Sequence, residues 1–259
     1  MTNASAPNPW LMIANRNPQA SLRLFCFPYS GGTASIYRNW AASLLPQIEV
    51  CAVQLPGRAS RMKEAPYKEY GSLVRAIAQE LVPYFDKPFA FFGHSMGALL
   101  SFELARALRR EHGRLPLHLF VSGRHAPQLP AAHPDFHALP DAEFIEALRS
   151  LNGTPQEVLD DPELRELIFP LLRADFAVNE TYVYYPEPPL ECPIDAFGGL
   201  QDKDVRVEDL KAWRQQTSAA FRLRMFPGDH FFLHTNEAML LQALMQEFYK
   251  LVRSLEGQR

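Results

Sequence analysis

Apolar positions along the chain follow two alternating patterns of different length. Six short, almost continuously apolar runs are typical of strands covered on both faces; they are Leu22–Phe27, Glu49–Gln54, Phe89–Gly93, Leu117–Ser122, Ile194–Gly198 and Phe221–Phe226. Longer stretches with helical spacing separate them, at Ile36–Leu45, Tyr70–Tyr84, Met96–His112, Val205–Thr217 and Asn236–Leu255. This alternation predicts an α/β fold with a mainly parallel, doubly wound sheet. Trp10–Ala14 is a candidate antiparallel edge strand.

The alternation is interrupted between about Pro127 and Pro189, where no strand-like run occurs. Helical patterns at Asp141–Leu151 and Asp161–Tyr184 lie there among prolines, which favour turns and helix ends. We therefore predict a single domain over residues 1–259, with a helical lid insertion at about 127–189. Its helically spaced apolar residues either pack the insertion or line an acyl pocket; they include Phe144, Leu148, Leu164, Ile168, Leu171, Leu172 and Phe176.

Composition narrows the possible function classes. Hydrophobic residues make up 47% and charged residues 21% of the chain, as in ordinary globular proteins. The formal net charge of -3 gives no global positive field for nucleic acid or an anionic membrane. No run of eighteen apolar residues and no signal-peptide pattern occurs. Cys26, Cys51 and Cys192 are widely spaced among apolar neighbours, so we expect reduced core thiols in a cytoplasmic protein.

Candidate chemistry lies where the third of these strands runs into a helix. Residues 93–97 read Gly-His-Ser-Met-Gly, the Gly-x-Ser-x-Gly pattern of a nucleophile elbow. Such a turn strains the backbone of Ser95 and requires glycine at 93 and 97, where a Cβ would collide with neighbouring backbone. Ser95 Oγ then projects at a helix N-terminus, which favours developing negative charge. The alternative is a glycine-bounded turn with an inert serine.

A serine nucleophile needs a base and a group that orients the base. In α/β-hydrolases these follow the serine in the order Asp or Glu, then His. Asp202 and His230 each come just after a strand-like run, so both are expected at the sheet edge from which Ser95 projects. We predict a Ser95–Asp202–His230 triad, with Asp204 as the alternative orienting acid.

Two further histidines lie close to this triad in sequence. His234 follows His230 by four residues and could share a metal with it, but no acidic third ligand is suitably placed, so no metal site is expected. His94 belongs to the elbow, and strand alternation directs its side chain away from the Ser95 hydroxyl. We expect His94 to pack or to give polar support.

An acyl-transfer site also needs hydrogen-bond donors for the oxyanion. One is expected to be the backbone N–H of Met96, directly after the nucleophile. The second is expected in the glycine-rich loop after the first parallel strand, where we assign the N–H of Ser30, with Tyr29 as the alternative. Neither Gly-x-Gly-x-x-Gly nor a Walker pattern occurs, which argues against a phosphate cradle.

Seven short segments, spread over nearly the whole chain, are more specific than the triad alone. They are residues 25–35, 53–58, 91–98, 119–124, 172–176, 199–202 and 226–231. In content and order they resemble the type II thioesterases that accompany nonribosomal peptide and polyketide synthetases. Gln-Leu-Pro-Gly-Arg58 and Phe-Pro-Gly-Asp-His230-Phe carry most of the resemblance. Tyr29-Ser30 departs from the His-Ala more frequent in the family.

The resemblance implies an α/β-hydrolase fold and a serine thioesterase that removes acyl groups from the phosphopantetheine arm of carrier proteins, restoring stalled synthetases. The implied partner is an acyl or peptidyl carrier domain, and the implied enzyme is a monomer. No cofactor of its own is implied, because phosphopantetheine arrives on the partner. Two alternatives stay open: hydrolysis of acyl-CoA or small esters by the same triad, and a non-catalytic carrier-binding scaffold.

Three basic residues, Arg58, Arg61 and Lys63, cluster in the loop after the second parallel strand, on the expected active-site edge. Carrier proteins are usually acidic, so we hypothesise that these side chains contact the phosphopantetheine phosphate or carrier carboxylates. The alternative is a solvated loop in which Arg58 has a structural role.

Overall fold

The computed structural model describes residues 8–130 and 135–257. The strands are β1 (Leu11–Met12), β2 (Leu22–Phe27), β3 (Ile48–Val53), β4 (Phe89–His94), β5 (Leu119–Ser122), β6 (Ile194–Gly199) and β7 (Phe221–Phe226). The α-helices are α1 (Trp40–Ser43), α2 (Tyr70–Leu81), α3 (Met96–His112), α4 (Asp141–Leu151), α5 (Gln156–Asp160), α6 (Pro162–Glu180), α7 (Val207–Lys211), α8 (Phe232–Thr235) and α9 (Glu237–Glu256). Short 3₁₀ segments occupy Ala34–Tyr37, Ala59–Arg61, Val82–Tyr84, Phe136–Ala138 and Ala212–Gln216.

The strands form one sheet in the order β1-β3-β2-β4-β5-β6-β7. β1 is antiparallel to β3, and each of the other neighbouring pairs is parallel. The mainly parallel, doubly wound sheet is therefore confirmed. The antiparallel edge strand is also present, but it has two residues rather than the expected five.

Both faces of the sheet are covered, which explains the continuous apolar runs of β3 and β4. Successive residues of β2 point to opposite faces. Phe25 belongs to one core with Phe102 of α3, whereas Leu24 belongs to the other core with Trp40 of α1 and Phe248 of α9. The triad residues follow β4, β6 and β7, so all three lie at the carboxyl edge of this packed sheet.

Several helices are shorter than their apolar patterns predicted. The pattern over Ile36–Leu45 gives a 3₁₀ segment and the four-residue α1, and the pattern over Asp161–Tyr184 gives α6, which ends at Glu180. α2 ends at Leu81, and the chain continues as a 3₁₀ segment that contains Pro83. Proline is unfavourable in the interior of an α-helix, because it lacks an N–H and its ring clashes with the preceding turn. The pattern over Val205–Thr217 divides into α7 and the 3₁₀ segment that begins at Ala212. Apolar spacing alone does not distinguish these two kinds of helix.

Helices α4, α5 and α6 occupy the stretch predicted as a helical insertion, of which residues 131–134 lie outside the described part. The carboxylate of Asp161 caps α6 by accepting from the N–H groups of Glu163 and Leu164 at 2.8 and 3.3 Å. The insertion has a small core of its own, formed by Phe144, Leu148, Leu159, Phe169 and Leu172.

The three cysteines are free and buried, as predicted. Burial raises the pKa of each thiol, in the case of Cys192 to about 12. They are therefore protonated side chains of the core at neutral pH. Among the described helices, none is both long and apolar enough to cross a membrane.

Candidate active site

Ser95 lies in a strained turn between β4 and α3. Its φ and ψ are 53° and -114°, a conformation that is rare for a residue with a side chain. A Cβ on Gly93 would lie 2.1 Å from the carbonyl oxygen of Gly97, and a Cβ on Gly97 would lie 2.1 Å from that of Phe27. The geometry is that of the predicted nucleophile elbow, and glycine is required on both sides of it.

Asp202 and His230 are joined by a hydrogen bond of 2.8 Å between Oδ2 and Nδ1. The Asp202 side chain is fully buried, and its Oδ1 accepts from the backbone N–H groups of Asp204 and Val205 at 2.9 and 3.2 Å. These two bonds fix the orientation in which the carboxylate binds the His230 imidazole. Asp202 is thus the acidic side chain that bonds to His230 Nδ1.

The β6 and β7 ends approach closely enough for this pair to form. A Cβ on Gly199, the last residue of β6, would lie 2.2 Å from the carbonyl oxygen of Asp229. Glycine at 199 therefore lets the loop that carries His230 pack directly onto the end of β6, next to Asp202.

Ser95 and His230 line the same cavity, which has a volume of about 470 Å³. In the part of the chain that the structure describes, no hydrogen bond joins the two side chains. Catalytic hydrogen bonds are often long before substrate binds and tighten in the substrate complex. His230 is 17% exposed, so one edge of its ring is open to the cavity.

The side chains of Ser30 and Met96, the two residues predicted to supply the oxyanion donors, are in contact. Ser30 Oγ is 3.8 Å from Met96 Sδ and accepts a hydrogen bond of 2.9 Å from Asn179 Nδ2. Gly31 has a φ of 77°, and the N–H of Gly32 donates to the Tyr29 carbonyl, so residues 29–32 form a tight turn beside the elbow. Within the described residues, no hydrogen bond engages the N–H groups of Ser30 and Met96.

Tyr29 connects this turn to His234. Its hydroxyl is 2.9 Å from His234 Nε2, and its ring packs edge-on against Phe231. Burial lowers the pKa of His234, so its ring is neutral at pH 7. Tyr29, which departs from the family pattern, thus has a specific partner in His234.

His94 gives polar support from inside the sheet, as expected. It is fully buried, and its Nδ1 is 2.9 Å from Ser122 Oγ. Burial first, and then the neighbouring His230 and His234, lower the pKa of His94 well below its usual value. A neutral ring here lies 5.1 Å from the ring of His230 and adds no positive charge beside it.

Among the described residues, two groups of side chains have donor atoms close enough to share a cation: Asp202 with Asp204 and His230, and Asp135 with His137 and Glu180. In the first, hydrogen bonds already engage both oxygens of Asp202. In the second, Glu180 accepts from the backbone N–H groups of Phe136 and His137 and lies 2.6 Å from His137 Nδ1. Ordinary hydrogen bonding accounts for both arrangements.

The hypothesis of carrier contact is wrong for two of its three residues. Arg58 is 3% exposed and forms a double hydrogen bond with Asp175, at 2.7 Å each. Arg61 is 6% exposed, donates to Glu64, and stacks over the ring of Trp10 at 4.1 Å. Both guanidinium groups are engaged by partners within the protein, whereas Lys63 is exposed and stays a candidate for carrier contact.

The insertion supplies most of the apolar wall of the cavity. Five of the seven candidate acyl-pocket residues line it, whereas Phe144 is buried in the insertion core and Leu164 is 37% exposed. The lining five are Leu148, Ile168, Leu171, Leu172 and Phe176. Leu148 and Leu172 belong both to the insertion core and to the cavity wall, so packing and cavity lining are not exclusive.

Sequence reasoning missed three residues near the nucleophile: Arg124, Asp175 and Asn179. Arg124 lines the cavity and donates to Asn179 Oδ1 at 3.3 Å; burial lowers its pKa to about 10. Arg124 and Asp175 lie within segments used for the resemblance, which was a usable signal. Nothing in the sequence marked Asn179.

Comparison with known proteins identifies the family of the chain. The thioesterase domain family matches residues 22–248. Gramicidin S biosynthesis protein GrsT of Aneurinibacillus migulanus is 50% identical over 247 residues, covering 95% of this chain and 96% of the relative. Among solved structures, the type II thioesterase BorB from the borrelidin biosynthetic cluster has a TM-score of 0.83 and 37% identity, covering 92% of this chain and 96% of BorB.

One relative has a name from another class of enzyme. Linear gramicidin dehydrogenase LgrE of Brevibacillus parabrevis is also 50% identical, over 239 residues and 91% of each chain. The present sequence has no Gly-x-Gly-x-x-Gly dinucleotide pattern, and it has the elbow, acid and histidine in hydrolase order. As its motifs predicted, the chain belongs to the thioesterase domain family.

Proposed function

We propose that this protein is a serine thioesterase that hydrolyses acyl groups from the phosphopantetheine arm of carrier domains in modular peptide or polyketide synthetases. The observation that carries the proposal is the 2.8 Å bond between Asp202 and His230 on a cavity shared with Ser95 in its strained elbow. The biosynthetic names of GrsT and BorB support the substrate class.

The first half of the reaction forms an acyl-enzyme. Ser95 Oγ attacks the thioester carbonyl carbon while His230 Nε2 takes the hydroxyl proton, and Asp202 stabilises the resulting imidazolium. The N–H groups of Ser30 and Met96 donate to the oxyanion. As the carbon–sulfur bond breaks, His230 returns the proton to the leaving pantetheine sulfur.

The second half releases the acid. Water gives a proton to His230 as its oxygen attacks the acyl carbon, and the second tetrahedral intermediate forms in the same oxyanion hole. Its collapse breaks the bond to Ser95 Oγ, which takes the proton back from His230. The products are a carboxylic acid and a free carrier thiol, with the enzyme restored.

The surroundings of the triad suit such a substrate. The apolar side chains of α4 and α6 that line the cavity provide an environment for an acyl chain. In this proposal the enzyme works as a cytoplasmic monomer with no cofactor of its own, and a carrier domain brings the phosphopantetheine.

The test compares one acyl group on three leaving groups: a carrier protein, coenzyme A and p-nitrophenol. For wild-type protein, we expect kcat/KM to be at least about tenfold higher with the carrier than with coenzyme A, since about 1.4 kcal/mol of protein contact gives that factor. Ser95→Ala is expected to lower kcat by about 10⁴-fold or more for every substrate. Circular dichroism of Ser95→Ala checks that the fold is kept.

The other outcomes identify the alternatives. Equal kcat/KM for the carrier and coenzyme A substrates would indicate a general acyl-CoA or ester hydrolase. A serine-directed fluorophosphonate is expected to label the wild type and not Ser95→Ala. A protein that is neither labelled nor active, yet binds acyl-carrier protein, would be a scaffold.

A further inference from the structure

A buried ion pair connects the insertion to the oxyanion turn. Asp175 of α6 is 2% exposed, and its Oδ2 accepts from the backbone N–H of Gly31 at 2.6 Å. The same carboxylate binds Arg58 through both oxygens, at 2.7 Å each. Asp175 therefore holds the residue that directly follows Ser30 in the turn.

Arg58 and its neighbours hold the turn from the opposite side. Arg58 Nη1 also donates to the Gly32 carbonyl at 3.2 Å. Gln54 accepts from the N–H of Ala34 at 3.1 Å through its Oε1, and its Nε2 donates to the Arg58 carbonyl at 3.4 Å. The Gln-Leu-Pro-Gly-Arg segment thus fixes backbone groups on the C-terminal side of Ser30.

Packing adds to these hydrogen bonds. A Cβ on Gly31 would lie 2.7 Å from Leu172 Cδ2, so α6 presses directly on the turn. Leu172 also lines the acyl side of the cavity. One helix therefore contacts both the expected place of the acyl chain and the loop that carries an oxyanion donor.

Stability alone is a weak reason for such a pair. Taking two charges out of water is costly, and apolar residues of similar size often stabilise a core equally well. An oxyanion hole, by contrast, needs donors held within a few tenths of an ångström before the reaction begins. A fully hydrogen-bonded ion pair supplies directional restraint that apolar packing does not.

We infer that Arg58 and Asp175 are positioning residues for the oxyanion hole: they fix Gly31 and Gly32, and so aim the Ser30 N–H, only when α6 is docked on the sheet. The inference rests on the oxyanion role proposed above for Ser30. It assigns to Arg58 an effect on catalysis through the enzyme's own backbone, not through contact with a carrier protein.

The central variant is Asp175→Asn, which keeps an acceptor oxygen for the Gly31 N–H but removes the charge that holds Arg58. The matched control is Glu103→Gln, because Glu103 also pairs with a buried arginine, Arg106, at 2.5 Å. Neither residue of the control pair lines the active-site cavity. Both variants remove one charge from a buried ion pair, so thermal melting measures their structural cost.

Two activity measurements separate positioning from folding. The first is kcat and KM for a p-nitrophenyl ester. The second is the affinity for a trifluoromethyl ketone with the same acyl chain, which Ser95 converts to a tetrahedral oxyanion adduct. For Asp175→Asn we expect kcat to fall by about 10- to 100-fold, less than or near the loss of a whole donor, with KM within about threefold. Ketone affinity should fall by the same factor, whereas Glu103→Gln should keep both values.

Arg58→Lys serves as a second, milder variant, which also decides the matter if Asp175→Asn does not fold. Lysine keeps the charge but cannot bind both carboxylate oxygens as a fork, so kcat and ketone affinity should fall together by a smaller factor. Unchanged kcat in the folded variants, or equal losses in Asp175→Asn and Glu103→Gln, would overturn the inference. Full activity of Ser95→Ala would instead overturn the serine mechanism itself.

Discussion

The catalytic edge of the sheet and the helical insertion above it are built differently. The elbow follows β4 and Asp202 follows β6, two strands that are buried along their whole length, whereas His230 follows the partly exposed edge strand β7. Backbone contacts leave no space for a Cβ at Gly93, Gly97 or Gly199. The insertion has only a small core of its own, and Leu167 and Tyr185 are 54% and 71% exposed. The reacting groups thus sit on the densely packed part, and the acyl wall sits on the thinly packed part.

The difference indicates a division of tasks. Rigid strand ends hold side chains that must meet with hydrogen-bond accuracy, whereas an apolar wall tolerates small movements. Helix α6 belongs to both parts, because it lines the cavity and also bonds to the oxyanion turn through Asp175.

The largest effect is expected where the dense part is altered at the triad. Asp202→Asn should lower kcat/KM by about 10⁴-fold, because an amide no longer holds His230 in the required tautomer. Asp204→Asn is the control, because this variant keeps the backbone N–H that donates to Asp202. Steady-state kinetics with a p-nitrophenyl ester measures both. Similar losses in the two variants would mean that both carboxylates orient His230, and that the sheet edge does not hold a single acid in place.

A matched pair of phenylalanines tests the packing difference itself. Phe92 in β4 packs on Trp40 with ring centroids 4.8 Å apart, and Phe144 in α4 packs on Phe169 with ring centroids 5.2 Å apart. Phe92 and Phe144 are both fully buried. Phe92→Ala should lower the free energy of global unfolding by about 3–5 kcal/mol. Phe144→Ala should lower it by less, because the insertion can open while the sheet stays folded.

Urea unfolding measures the free energy of global unfolding, and amide hydrogen exchange measures local opening of the insertion. In Phe144→Ala, exchange should accelerate in α4 and α6 while the central strands stay protected, and KM for a medium-chain ester should rise. Equal losses of global stability would contradict the comparison and would make the insertion an integral part of the sheet's cooperative unit.

The smallest effect is expected at the surface. Lys63→Glu should raise KM for acyl-carrier protein by about two- to fivefold, the range that exposed charge pairs allow, and should leave p-nitrophenyl ester hydrolysis unchanged. Lys250→Glu on α9 is the control for a general change of net charge. Equal KM values for wild type and Lys63→Glu would remove the last residue of the basic cluster from carrier recognition.

The features that short stretches of sequence determine were predicted correctly. The strand-to-helix alternation, the elbow around Ser95 and the order of Asp202 and His230 can be read along the chain, and the structure places them as expected. The two-residue edge strand was overestimated because apolar character continues beyond the paired residues. Such boundaries depend on hydrogen bonds to β3 and not on composition.

Contacts between distant segments could not be read in this way. Arg58 and Asp175 are separated by 117 positions, so nothing in the sequence indicates their ion pair. From sequence alone, Arg58 is therefore interpreted as a loop arginine that could contact a carrier protein. Phe144 and Leu172 have the same apolar character and both belong to the insertion core, and only the docking of α4 and α6 decides that Leu172 also lines the cavity. Asn179 has meaning only beside Ser30.

The buried cysteines offer a practical way to watch α6. Only the thiolate reacts with maleimide dyes, and burial keeps Cys26, Cys51 and Cys192 protonated and inaccessible. A cysteine introduced at the exposed Glu166 of α6 would therefore take a fluorophore without background labelling of the native thiols. Helix docking could then be followed by fluorescence, in real time, while an acyl chain enters and leaves.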